Sequence, residues 1–358
     1  MKVGIITYHR AHNYGAVLQC YALQEVLKSM GHDAWVIDYK QDFIDRLYCP
    51  KFNVKHLIKL VLLFRITKII KFFSIYREQK RRKHFFDDFK RNYLHCTEEF
   101  SAETIGQNFD AYVIGSDQVW GLHCTNGFDP VYWGQFTRSA NSRLFGYAIS
   151  ANGDYKGIIS RDCLVHYFNS FEDISFRETS TRDDFAEYTG IVKEVSLDPT
   201  LLTDRCIWQP LLNKKKNVKK YVVVYQIRRL PHYRSMLEDK ASSFAKNKGY
   251  ELIDLTNMEF PVPEFVSLIA NAECVFTSSF HATVFSIMFD TPFFSFKLYD
   301  GHDNRYENLL KVLGLTEHLV DEFTTIDEVM PINQIDIVRK KLIELRKSSL
   351  EYLERSLS

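Results

Sequence analysis

Short apolar, β-branched runs separated by helix-spaced segments confine this chain to folds built on a parallel sheet. Val3 to Thr7 is such a run, and its continuous apolar character suits a strand covered on both faces. The loop His9-Arg10-Ala11-His12-Asn13-Tyr14-Gly15 follows, and the apolar residues from Ala16 to Leu27 then recur at helical spacing. Gly31 stops that helix and Ala34 to Tyr39 begins a second strand, which completes a βαβ unit. The rhythm returns at 110–115, 144–150 and 174–176. A second set opens at Tyr221 to Tyr225 and continues at 251–254, 273–277 and 291–296.

With 358 residues the chain exceeds one typical domain. The lysine-rich stretch Asn213 to Lys220 has the composition of a boundary. The expected organisation is therefore an N-terminal Rossmann-like domain over 1–212, a C-terminal Rossmann-like domain over 219–325, and a helical tail over 326–358 whose segment from Ile335 to Leu357 reads as one or two surface helices. A basic helical insertion near 54–92 interrupts the first domain. Between 54 and 83 stand ten Lys or Arg against one acidic residue, Glu78, with Leu57, Leu60, Val61, Phe64, Ile66, Ile69, Ile70 and Phe73 at mostly helical spacing. Lys59, Arg65, Lys68 and Lys71 interrupt the apolar run, so a transmembrane span is not expected. Such a helix either packs its apolar side on the body of the protein or makes peripheral contact with an anionic membrane, near a lipid-linked substrate.

Net charge decides one further class. At +1 the chain lacks the basic excess of a general nucleic-acid binder. Its seven cysteines contain no Cys-x-x-Cys pair, so neither a zinc cluster nor a disulfide framework is expected, and no metal triad emerges around His9 and His12. The N-terminus begins a strand at once and lacks a secretory signal, which makes the cytoplasm the expected compartment, with attachment at the inner face of the cell membrane through the basic segment as an option.

In an open α/β sheet chemistry gathers where strands end and helices begin. The run Glu273 to Thr277 hands over through Ser278, Ser279, Phe280 and His281 to a second apolar run, placing an imidazole and several hydroxyls at such an edge. Asn13-Tyr14-Gly15 occupies the equivalent place in the first unit, where Asn13 either caps the helix or contacts substrate and Gly15 permits close backbone approach; without a G-x-G-x-x-G a dinucleotide is not indicated. Ser116, Asp117 and Gln118 crowd another strand end, with Asp117 either binding sugar hydroxyls, orienting a base or capping the turn. Arg177 suits a phosphate or carboxylate, and Glu178 would hold it or assist proton transfer; an interdomain salt bridge explains the pair equally. Ser279 and His281 lack a nucleophile elbow, which excludes a hydrolase triad of that type.

Taken in order, Gly4 to His9 with Asn13 to Gln19, Gly115 to Trp120, Arg177-Glu178, Leu197-Asp198-Pro199-Thr200, and Thr277 to His281 with Pro292 and Arg305 resemble the polysaccharide pyruvyl transferases of capsule and exopolysaccharide gene clusters. The resemblance covers residues 1–315. It implies the glycosyltransferase B (GT-B) architecture, two Rossmann-like domains with the active cleft between them. It also implies transfer of a pyruvyl group from phosphoenolpyruvate, a donor substrate rather than a cofactor, to two hydroxyls of a sugar or lipid-linked oligosaccharide acceptor, giving a cyclic ketal and phosphate. In that reaction His281 would be the general acid or base, Arg177 and Arg305 would neutralise the donor's anionic groups, and Asp117 would orient the acceptor. Asn13, Tyr14, Gly15, Ser116, Glu178, Ser278 and Ser279 would complete the substrate contacts. The family pattern has Gly where this chain has Ala282, an added methyl that would narrow the pocket, and Ser279-Phe280 stand where charged residues often precede the histidine. Two other classes share the expected cleft: a GT-B enzyme using a nucleotide sugar, and a non-catalytic glycan-binding protein.

Overall fold

The computed structural model describes residues 1–49, 52, 54–62, 66–101, 109–151, 153, 155–212, 219–227, 231–299, 303–333 and 335–358. Asn152, the boundary residues Asn213 to Val218, and Phe64 and Arg65 of the basic stretch lie outside the described residues, as do the side chains of Leu57, Leu60 and Val61.

The N-terminal half alternates strand and helix: β1 (Lys2–Ile6), α1 (Tyr14–Ser29), β2 (Asp33–Tyr39), α2 (Asp42–Tyr48), α3 (Val54–Leu62), α4 (Ile66–Tyr93), β3 (Cys96–Phe100), β4 (Ala111–Asp117), α5 (Leu122–Thr125), β5 (Arg143–Ile149), α6 (Arg161–Phe168), β6 (Asp173–Phe176), α7 (Thr179–Thr189) and β7 (Glu194–Val195). The C-terminal half continues with β8 (Tyr221–Tyr225), α8 (Pro231–Lys248), β9 (Glu251–Asp254), α9 (Val262–Ala270), β10 (Cys274–Thr277), α10 (Phe280–Phe289), β11 (Phe293–Phe296), α11 (Asn304–Leu313), β12 (Leu319–Val320) and α12 (Ile335–Leu357). Among the described residues these strands form two sheets, ordered β3-β2-β1-β4-β5-β6-β7 and β12-β11-β10-β8-β9. Every pairing is parallel.

Both strand orders are doubly wound, and each has one point where the winding reverses. In the first sheet the reversal falls between β1 and β4, and in the second between β8 and β10. Helices depart to opposite faces at such a point and leave a crevice beyond the strand ends. Residues 7–13 and Asp117 border the first crevice, while Gln226, Ile227 and Ser278 border the second.

Burial explains why the strands read as continuous apolar runs. Val3, Ile5 and Ile6 of β1 and Val222, Val223 and Val224 of β8 are fully buried, because helices cover both faces of each sheet. Helix α1 is buried almost all round. Its polar residues are bonded inside: Gln19 donates to Thr7 Oγ1 at 2.8 Å, and Gln24 donates to the Tyr93 carbonyl at 3.1 Å and accepts from the His95 amide at 2.6 Å. One apolar cluster runs from Tyr14, Val17, Leu18 and Tyr21 of α1 through Trp208 to Phe265, Phe280 and Phe285 of the other half, so the two halves share a core. Tyr14 donates to the Phe260 carbonyl at 2.8 Å and stacks on Phe265 with ring centres 4.0 Å apart.

The C-terminal segment differs from the expected surface helices. It forms the single helix α12, which returns to the first half and buries Tyr352, Leu353 and Leu357 among Val3, Ile5 and Phe145. Tyr352 donates to the Gly146 carbonyl at 2.8 Å, and Arg346 donates to the Leu201 carbonyl at 2.6 Å. The many charges of this helix lie on its outer side, and they masked the buried stripe in the amino-acid sequence. Leu353→Ala should lower the unfolding free energy by about 2–5 kcal/mol in urea titration, because the cavity opens under the first sheet where relaxation is limited.

Candidate active site between the two halves

Two helix N-termini meet at the cleft. Asn13 caps α1 by accepting from the Gly15 amide at 2.9 Å, and Ser279 caps α10 by accepting from the Ala282 amide at 3.4 Å. Asn13 is extended at φ −129° and Ser279 at φ −107°, as N-caps require. Both N-termini border one cavity, so the positive ends of two helix dipoles reach it even though their first-turn amides are engaged by the caps.

His281 sits in the first turn of α10 and is pressed against Gly15. A Cβ on Gly15 would lie 2.0 Å from His281 Nδ1, which no side chain can occupy without moving the ring. The other ring nitrogen, Nε2, faces Asp198 Oδ2 at 3.5 Å, an ion-pair distance at which no hydrogen bond is formed. Asp198 is fixed from behind, where its Oδ1 accepts from the Thr200 amide at 3.0 Å and the Thr200 hydroxyl at 2.6 Å. Burial would raise the Asp198 pKa, but His281 and Arg177 beside it hold the carboxyl well below the usual carboxylate range.

Arg177 is the centre of a buried cluster, with its side chain only 2 % exposed. Its Nε donates to Glu178 at 3.0 Å, its Nη1 donates to Asp198 at 3.0 Å, and Asp117 lies 3.5 Å away. Burial opposes the charge, yet these three carboxylates keep the guanidinium's pKa above its ordinary value. The guanidinium also lies 5.1 Å from the centre of the Phe280 ring. Among the described residues its carboxylate partners all belong to the N-terminal half, so no interdomain salt bridge of the kind considered from sequence is seen there; Phe280 and His281 contact this cluster from the other half. Glu178 accepts from Ser150 at 2.9 Å, which ties the ends of β5 and β6 together.

A cavity of about 420 Å³ opens beside this cluster. Asn13, Asp117, Ser278, His281 and Arg305 line it together with Tyr8, Phe43, Leu47, Tyr48 and Ile227. Asp117 adopts φ +80°, in the left-handed region that costs a non-glycine residue about 1–3 kcal/mol, and its own carboxylate accepts from the Gln118 amide at 2.9 Å. The Ser278 hydroxyl is buried and has no partner among the described residues. Arg305 comes from the first turn of α11 and gives the wall a cation.

Five of the residues expected from sequence therefore line one cavity: Asn13, Asp117, Ser278, His281 and Arg305. Gly15 and Ser279 support it, through the imidazole contact and the helix cap. Tyr14 instead points into the shared core, and Ser116 is buried with its hydroxyl donating to the Ala148 carbonyl at 2.9 Å. Arg177 and Glu178 stand behind the cavity and border a smaller one of about 130 Å³, which Arg305 also reaches. Ala282 packs in the apolar core and does not line the cavity, so its methyl leaves the pocket unchanged.

Asp198 is the residue that sequence reasoning left out of the site. Its Asp-Pro-Thr context signals a capped turn, and nothing local announces its two charged partners. His9, around which no metal triad emerges in the sequence, meets Asp38 of the neighbouring strand through Nε2 at 2.8 Å. The same carboxylate accepts from Arg10 at 2.7 Å and Lys90 at 3.0 Å. This ion-paired group, together with His12 and Asp45, borders a larger cavity of about 660 Å³ whose cations Arg10, Lys83, Lys90 and Arg91 each already face carboxylates.

Two doubly wound domains with their strand ends facing across a cleft define the GT-B class. A Listeria monocytogenes structure described as a UDP-N-acetylglucosamine 2-epimerase is similar over 99 % of this chain and 95 % of its own, at 7 % identity and a TM-score of 0.51. The Streptomyces nogalater glycosyltransferase SnogD matches over 99 % of each chain at 10 % identity, with a TM-score of 0.41. No curated protein matches the chain in sequence. A family model for polysaccharide pyruvyl transferase matches residues 13–298, and the chain belongs to that family.

Two outcomes test this geometry. Gly15→Ala should displace the imidazole, reduce turnover on the order of 10²-fold and lower stability by about 1–3 kcal/mol through overpacking, measured by single-turnover kinetics and urea titration. His12 is stacked between Tyr48 and Phe86, and burial with Arg82 nearby lowers its pKa to about 4. Its unfolded state binds a proton more readily, so stability should fall by up to about 3 kcal/mol as the pH drops from about 6.5 toward 4. His12→Phe should flatten that part of the pH profile of denaturant unfolding.

Proposed function

We propose that the protein transfers the pyruvyl group of phosphoenolpyruvate to two hydroxyls of one sugar in a bacterial surface polysaccharide or its lipid-linked precursor, forming a cyclic ketal and releasing phosphate. The observation that carries this reading is the wall of the 420 Å³ cavity, where His281 and Arg305 meet the N-termini of α1 and α10 in a chain of the polysaccharide pyruvyl transferase family. A guanidinium and two helix N-termini suit a small trianion. Tyr8, Phe43, Tyr48 and Asp117 in the same lining offer an apolar and hydroxyl-binding surface suited to a sugar ring.

The reaction needs little beyond these groups. His281 protonates C3 of phosphoenolpyruvate, and the first sugar hydroxyl attacks the cationic C2 and gives up its proton. Phosphate then leaves, regenerating a cation at C2, and the second hydroxyl closes the ketal. One hydroxyl proton balances that placed on C3, and the other departs with phosphate. The carboxylate of Asp198 faces Nε2 at 3.5 Å and orients the ring, while Arg305 neutralises charge on the leaving group. Arg177 acts in this scheme by holding Asp198 and Asp117 in place, a positioning role, since its partners occupy two of its three nitrogens. Phosphoenolpyruvate carries its own leaving group, so the scheme calls for no further cofactor.

Incubation with phosphoenolpyruvate and a panel of lipid-linked or synthetic glycans should release phosphate and give one product heavier by the ketal. His281→Ala and His281→Gln should each lower the rate by about 10²–10⁴-fold with folding preserved. Near-normal turnover in both would remove His281 from the mechanism. Consumption of a nucleotide sugar with phosphoenolpyruvate left intact would replace the ketal reading by glycosyl transfer.

A further inference from the structure

The pair of helices α3 and α4 carries a surface that the cleft does not use. The C-terminal part of α4 is anchored: Phe86 and Phe89 are buried in the shared core, and Arg82 donates to the His12 carbonyl at 2.5 Å. The preceding turns project from the body. There Val54, Ile58 and Leu62 repeat along α3, and Ile66, Ile70 and Phe73 repeat along α4, each set at the spacing of one helix face. These side chains are turned outward, with Leu62 72 % exposed, Ile66 67 % and Ile70 65 %. A monomeric protein rarely leaves so continuous an apolar surface in water without something to cover it.

Charge identifies what covers it. Lys55, Lys59, Lys68 and Lys71 are exposed on the same turns, and among the described residues no carboxylate pairs with them. Ten Lys or Arg stand between 54 and 83 against the single acid Glu78. A second copy of this surface would bring like charges together, and the apolar centre of a protein interface is depleted in lysine. Apolar side chains interleaved with unpaired lysines match instead a layer that is hydrocarbon within and anionic at its surface. No helix among the described residues is long and apolar enough to cross a membrane, so contact of this kind lies in the interface plane. We propose that α3 and the part of α4 from Ile66 to Arg81 dock the protein on a bilayer surface carrying anionic lipid, inserting Ile58, Leu62, Ile66 and Ile70 among the headgroups. Docking of this kind goes beyond the ketal reading and does not require it; were both true, the cleft would stand beside a lipid-linked acceptor.

Vesicle sedimentation with the intact protein and no substrate tests it. Phosphatidylcholine vesicles containing phosphatidylglycerol should bind the protein, and pure phosphatidylcholine should bind it much less. Lys68→Gln and Lys71→Gln should each weaken binding about fivefold, and the difference should shrink as salt rises toward about 1 M. Leu62→Glu with Ile70→Glu should abolish it while leaving the unfolding midpoint unchanged, because both side chains are exposed. Equal binding to neutral and anionic vesicles, or none to either, overturns the proposal. So does a wild-type dimer that these two substitutions convert to monomer without any vesicle binding, which would assign the surface to a second copy of this chain.

Discussion

The contact between the backbone of Gly15 and the imidazole of His281 sets how closely the two halves approach. Any side chain at position 15 would push α1 away from α10, and the cleft would lose the convergence of its two helix N-termini. The contact works because each partner is held independently. Asn13 and Ser279 cap the helices that carry them, while Tyr14 and Phe280, the next residues along, enter the shared apolar core. Chemistry and domain packing are therefore built from alternating residues of the same two turns.

Behind His281 lies a group of charges that would be costly to bury singly. Arg177 with Glu178, Asp198 and Asp117 brings together the ends of β6 and β4 and the turn at 198, and the net negative charge of this group faces the imidazole. Removing one partner of such a cluster leaves an uncompensated buried charge, typically a loss of about 3–5 kcal/mol. A network this demanding gives little in net stability and much in position, since Arg177 is placed by three carboxylates and Asp198 by Arg177 and Thr200. The left-handed backbone at Asp117 belongs to the same pattern, local strain tolerated at the edge of the cavity.

Legibility in the sequence followed the strength of the local signal. Strands buried on both faces, such as β1 and β8, were plain because every residue had to be apolar. Edge strand β3, whose central residues Thr97, Glu98 and Glu99 are all polar, was not anticipated, nor were the two-residue strands β7 and β12, which pair only because a neighbouring strand is already there. The buried stripe of α12 was hidden by the charges around it. Residues at the strand ends were found because an α/β sheet places chemistry there. Their separation into those that line the cavity, such as Ser278 and Arg305, and those turned away from it, such as Tyr14 and Ser116, depends on side-chain direction within a turn, which composition does not report.

What the sequence determined by itself was the alternation of strand and helix, the two-sheet plan and the resemblance to polysaccharide pyruvyl transferases, because hydrophobic period, caps and ordered motifs are properties of neighbouring residues. Tertiary structure alone decided the partners: Asp38 for His9, Asp198 for His281, Asp117 and Asp198 for Arg177, and the first sheet for α12. The physical reason is distance. Each of these contacts joins residues that the chain separates but that parallel strands or packed helices bring within a few ångströms, so their charges and shapes act on one another only after the two sheets have formed.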